Sequence, residues 1–112
     1  MKLDISTTGD VTTITLKGRI DATVAPDIEQ ELLSLISSGS CRLVTALSEV
    51  TFISSAGLRS LVAALKKAKR EKGDLRLAEM GAKVREVFEI TGLSTVFNIY
   101  RSAEEAVRSF YD

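Results

Sequence analysis

Residues 11–17 alternate in character. Ile14 and Leu16 fall on one side of an extended segment, and Thr13, Thr15 and Lys17 on the other. Their β-branched composition predicts a strand. Residues 3–5 predict a partner strand, with Gly9 and Asp10 as the hairpin turn. Gly18 predicts the end of the second strand. The apolar period then becomes helical: Ile28, Leu32, Leu35 and Ile36 form one stripe. Pro26 suits a first turn, where its missing N–H needs no partner. Asp27, Glu29 and Glu31 lie near the amino end, where the helix dipole favours negative charge. Gly39 predicts the stop.

Residues 42–47 predict a short strand buried on at least one face, and residues 49–53 lead out of it. Leu58, Leu61, Val62 and Leu65 then repeat at helical spacing, which predicts a second helix beginning after Ser55 and closed by Gly73. Residues 75–78 predict another strand. Val84, Val87, Phe88 and Leu93 mark a third helix, with Gly92 near its end. Residues 96–100 predict a last strand. Ser102 with Glu105 three residues on makes a capping box for a short final helix. Helices alternating with strands after an opening hairpin imply one α/β domain over residues 1–112. Its sheet is mixed and mostly parallel, with about five strands, a hairpin edge and about four helices.

Composition narrows the chemistry. A chain of 112 residues with 45% hydrophobic content supports one ordinary core. Fifteen basic and fifteen acidic residues cancel, so no charge excess calls for nucleic acid. The basic run of Lys66, Lys67, Lys69 and Arg70 is answered by Glu71 and Asp74 and reads as a solvated helix face. Cys41 is the only cysteine, so no internal disulfide forms; beside a strand it reads as a small buried apolar residue. Histidine is absent, which removes Ser–His–Asp and Cys–His catalysis and the commonest metal ligand. The first residues lack the apolar run of a signal peptide, and no segment reaches the roughly 20 apolar residues of a membrane span. The expectation is a cytoplasmic protein that is not an enzyme, with no cofactor, no metal, no direct nucleic-acid contact and no membrane contact.

The junction of residues 52–62 has two readings. Ser54 or Ser55 caps the second helix, which contributes about 1 kcal/mol. Alternatively, the junction is a site. In open α/β sheets, sites lie beyond the carboxyl ends of strands, and a helix amino terminus suits a phosphate. A phosphate-binding loop for a ligand would want several glycines and a lysine, whereas here Gly57 is followed by Leu58. A phosphoserine adds about −1.5 to −2 charges at pH 7. It would turn a neutral, mildly apolar patch around Phe52, Ile53, Ala56 and Leu58 anionic, and a partner docking there would be repelled.

Residues 50–62, VTFISSAGLRSLV, resemble the signature loop of the STAS domain, the anti-sigma factor antagonist family. Residues 16–22 resemble the family's second strand and the turn into its first helix. Residues 47–53 resemble the approach to the loop, and residues 89–93 with 96–100 resemble its carboxyl-terminal segment. The resemblance spans roughly residues 3–110. It implies binding to an anti-sigma factor that is also a serine kinase, release of the sigma factor, inactivation by phosphorylation on a loop serine, and restoration by a PP2C-type phosphatase. A weak homodimer is a further expectation. By register the acceptor is Ser55, with Ser54 as second choice. Asp21 matches a family aspartate near that serine, from which its carboxylate reaches the hydroxyl; its other reading is a turn residue before Pro26. Asp21, Ser54, Ala56, Gly57 and Leu58 are the residues expected around the phosphosite and docking surface. The chain departs from the common pattern at Ser54 (often Asp), Ala56 (often Ser) and Ala46 (commonly Asp or Asn).

Rival readings are an unphosphorylated STAS subunit of a lipid transporter or larger signalling complex, a nucleotide binder using the helix end near Ser55 and Gly57, and an enzyme with Ser55 as nucleophile near Asp21 or Lys66. No general base is placed in sequence to activate that serine.

Overall fold

The computed structural model describes residues 3–112. Two antiparallel strands, β1 (Asp4–Thr8) and β2 (Val11–Ile20), open the chain, and Thr8 pairs with Val11 across the Gly9–Asp10 turn. Then come α1 (Ala25–Ser37), β3 (Arg42–Ile53), α2 (Ser55–Arg70), β4 (Asp74–Ala78), α3 (Ala82–Ile90), a 3-10 turn (Leu93–Thr95), β5 (Ile99–Tyr100) and α4 (Ala103–Arg108). The sheet order is β1-β2-β3-β4-β5, with all pairs after the first parallel.

This topology decides where the helices go. Each crossover from β2 to β5 moves one strand in the same direction, and such connections are right-handed. Successive crossover helices therefore land on one face. Ile28, Leu32 and Ile36 of α1, Leu61 and Leu65 of α2, and Val84 and Phe88 of α3 all join one large core with Ile14, Leu16, Leu43, Leu47, Leu75 and Leu77 of the sheet. Phe88 meets Phe97 edge to face, with centroids 5.8 Å apart. The opposite face is covered by α4, whose Ala106 packs on Val11, Val44 and Ala78. Ser102 caps α4 by accepting the Glu105 N–H at 3.1 Å.

Several elements differ in extent from the sequence reading: β1 runs on from Asp4 to Thr8 beside β2, and α3 stops at Ile90, with Leu93 in the 3-10 turn that follows the left-handed Gly92. Gly18 lies inside β2 and does not end it, because β3 continues beside it: Gly18 pairs with Val50 and Ile20 with Ile53, through two register shifts. For the same reason β3 is one strand of 12 residues and not a short strand with an exit. The last strand shrinks to Ile99–Tyr100, because Val96 is still in the turn that follows Gly92. Cys41 is half-buried, just before β3. At the outer edge, Lys17 on β2 pairs with Asp4 on β1 at 2.7 Å, and that hydrogen-bonded carboxylate holds the lysine pKa above its usual value.

One buried polar group is unsatisfied. Thr45 is fully buried, on the face of β3 shared by Leu43 and Leu47, and its Oγ1 has no hydrogen-bond partner among the described residues. An orphaned hydroxyl costs about 1–3 kcal/mol. Thr45→Val keeps the shape and removes the orphan. It is expected to raise stability by about 1 kcal/mol, seen as a higher urea midpoint at unchanged slope.

Candidate functional site

β2 and β3 are parallel neighbours, so their carboxyl ends lie side by side and the loops leaving them meet. The Ser54 N–H donates to the Ile20 carbonyl at 2.8 Å, which continues the β-ladder one residue beyond β3. Ser54 stays extended, with φ −87° and ψ 170°, while its own carbonyl accepts the first helical bond from Leu58 at 3.0 Å. Its hydroxyl accepts the Gly57 N–H at 3.2 Å. Ser54 is therefore the N-cap, half-buried and committed on three atoms. Ser54→Ala is expected to lower stability by about 1 kcal/mol in urea denaturation while leaving Ser55 in place.

Ser55 is the first residue of α2 and is exposed. Its hydroxyl makes no hydrogen bond among the described residues. The residues alone leave the helix cap open between the two serines, and the family register favours Ser55 as acceptor; the two have different environments, one holding the helix end and one facing outward.

The other expected residues divide by depth. Ala56 is half-buried beside Ser55. Gly57 and Leu58 are buried and point into the molecule. They set the position of α2 and offer no surface of their own. Asp21 spends its Oδ1 on the N–H groups of Thr23 and Val24, at 3.0 and 3.3 Å, and its carbonyl accepts from Ala25. It closes the turn that delivers α1, which is the turn-residue role. Ala46 is buried in mid-sheet opposite Ala78, so its surroundings ask for no polar side chain there.

Ser60, one turn into α2, donates from its buried hydroxyl to the Ala25 carbonyl at 3.0 Å. That bond ties the start of α2 to the start of α1. Between the two helices runs an open groove of about 640 Å³, with Pro26, Glu29, Leu33, Ala56 and Arg59 on its walls.

Two surface residues escaped the sequence reading as a pair. Phe52 is 39% exposed at the end of β3, and the Arg19 guanidinium stacks over its ring 4.3 Å from the centroid. They face each other because Arg19 and Phe52 are register partners. The signal was a phenylalanine just ahead of the serines, but its partner depends on the bulged register. Thr51, Phe52 and Ser55 are each exposed where β3 gives way to α2, with Thr51 toward the start of α3 and Phe52 toward Arg19 of β2.

Among the described residues, no helix is long and apolar enough to cross a membrane. The STAS domain family model matches residues 2–106. BtrV of Bordetella bronchiseptica, provisionally named an anti-sigma factor antagonist, is 34% identical over 110 residues, covering 98% of this chain and 95% of its own. The anti-sigma-B factor antagonist of Bacillus subtilis is 30% identical over 95 residues, 85% of this chain and 86% of that protein. The crystal structure of a Thermotoga maritima protein, also provisionally named an anti-sigma factor antagonist, superposes with a TM-score of 0.93 over 98% of this chain and 95% of that one; at 22% identity it shows the shared fold. The chain belongs to the STAS domain family, and its Bordetella and Bacillus relatives carry the name of anti-sigma factor antagonists.

Proposed function

We propose that this chain is a cytoplasmic anti-sigma factor antagonist, a binding module whose docking surface is switched off by phosphorylation of Ser55. The observation that carries the reading is the contrast between the two serines: Ser54 is locked into the helix cap, and Ser55 presents an unbonded, exposed hydroxyl three residues after the exposed Phe52.

Unmodified, that surface docks on an anti-sigma factor with serine-kinase activity and displaces the sigma factor. In the kinase, the Ser55 oxygen attacks the γ-phosphorus of ATP. The bond to the β,γ-bridging oxygen breaks, the hydroxyl proton passes to a base of the kinase, and ADP leaves. The phosphoserine places about two negative charges where a neutral surface met the partner. A PP2C-type phosphatase reverses this when water attacks phosphorus and the Ser55 oxygen departs.

The test is intact mass after incubation with ATP and the host's kinase-type anti-sigma factors, beside Ser55→Ala and Ser54→Ala variants. One added phosphate, retained in Ser54→Ala and absent in Ser55→Ala, is the expected result. No phosphate with any of them, while the unmodified protein co-purifies with a transporter or signalling complex, would replace this reading with that of a constitutive subunit.

A further inference from the structure

Arg59 follows Ser55 at a spacing of four, so it lies on the same face of α2, one turn further on. Both residues are exposed. The arginines nearby are occupied or distant: Arg19 lies on Phe52, and Arg76 pairs with Asp74 at 2.9 Å on the far side of the sheet. Arg59 has no ion pair, side-chain hydrogen bond or ring contact among the described residues. The carboxylates on the adjoining elements do not hold it. Asp21 is engaged by Thr23 and Val24, and Glu29, across the groove that Arg59 also lines, forms no ion pair with it.

A guanidinium is a planar donor matched to phosphate oxygens, and it stays charged at all working pH values. An acidic group at the start of a helix with a cation four residues later is also the favourable order. We infer that Arg59 is the intramolecular clamp for the Ser55 phosphate: it swings from solvent onto the phosphate and fixes the modified, inactive state. This rests on Ser55 being the acceptor and adds the residue that receives the product. Two consequences follow. The phosphate stabilises the fold instead of loosening it. The phosphatase meets a phosphate already held by the protein, so Arg59 slows the return to the active form.

The experiment installs phosphoserine at position 55 during translation, so no kinase is required. A failure of the kinase to modify Ser55 would then remove the proposed switch while the contact between the phosphate and Arg59 is still read directly, and a failure here would leave the switch standing. Phosphorus NMR titration follows the second ionisation of the phosphate in the parent, in Arg59→Gln and in Arg59→Lys. The parent is expected to ionise about half a unit lower than Arg59→Gln, with Arg59→Lys between them. The phosphate is also expected to raise the melting temperature by about 2 °C more in the parent than in Arg59→Gln. The unmodified Arg59→Gln protein, altered only at an exposed position, melts like the unmodified parent. Equal ionisation and equal melting shifts in parent and Arg59→Gln would overturn the inference and leave the phosphate to the helix end alone.

Discussion

Gly73→Ala is expected to be the most damaging single methyl in the chain. Gly73 joins the end of α2 to β4, and a Cβ there would sit 1.8 Å from the Cys41 carbonyl oxygen and 2.6 Å from its carbon. Those are backbone atoms, so no side chain can turn aside. The same carbonyl accepts the Asp74 N–H at 3.0 Å, and Gly73 itself donates to Ala68 at 2.8 Å. Moving either strand breaks the register that starts the β3–β4 ladder at Arg42 and Asp74. Overpacking against yielding side chains costs about 1–3 kcal/mol, and this contact lies at or beyond the upper end of that range. The expected loss is about 3 kcal/mol or more in urea unfolding, with Gly81→Ala as the comparison without a clash: nothing lies within 4 Å of its added carbon, and it loses only what alanine concedes to glycine at the N-cap of α3.

The second large effect falls at the site. Gly57 sits where α2 starts against the strand ends, and an added Cβ would lie 2.8 Å from Ile20 Cγ2, 2.9 Å from Ile53 Cγ1 and 3.2 Å from the Ile20 carbonyl oxygen. Two opposing terms decide the outcome. Alanine is favoured over glycine in a helix by about 1 kcal/mol. Against that, both isoleucines are β-branched, stiff at χ1 and buried, so they yield poorly. The clash outweighs the propensity gain, and Gly57→Ala is expected to lose about 1–2 kcal/mol net. The helix relieves the clash by backing away from the strands, which shifts Ser55 against Phe52. Phosphate transfer to Gly57→Ala by the partner kinase is therefore expected to slow about tenfold or more at a temperature where the variant is fully folded, since small misplacements at the reacting centre carry that penalty. Ser54→Ala, which costs stability without adding bulk, separates the two causes. If it slows phosphorylation equally, looseness of the helix end and not the position of Ser55 governs the rate.

Much of the architecture was legible because it is local. The alternation of Ile14 and Leu16 with threonines, the stripe of Ile28, Leu32 and Ile36, and the Ser102 cap each report on neighbours a few residues away, and each reappears in the fold. Residues that depend on distant partners were read less well. Gly18 looks like a strand end until β3 runs past it, and residues 49–53 look like an exit until β2 pairs with them. Val96 looks like strand because it is β-branched, yet the turn after Gly92 claims it. At the site, the serine pair and Gly57 stand out and the family register favours Ser55 as acceptor, but the residues alone do not divide the helix cap between Ser54 and Ser55. That division rests on one hydrogen bond to Gly57 and one to Ile20. Leu58 belongs both to the helical apolar stripe and to the surface patch in the sequence reading, and the stripe is right: Leu58 and its patch neighbour Ile53 are core, while Arg19 comes into view only through the register that stacks it on Phe52.

The central claim is that a phosphate on Ser55 closes an otherwise competent docking surface. Its most direct test is a calorimetric titration of the host's kinase-type anti-sigma factor with this protein, unmodified and carrying phosphoserine at position 55. Burying like or unpaired charge in an interface costs several kcal/mol. The phosphorylated form is therefore expected to bind on the order of a hundredfold more weakly than the unmodified form, with Ser55→Ala close to the latter. Equal affinity of the phosphorylated and unmodified proteins for a partner that binds both would contradict the account.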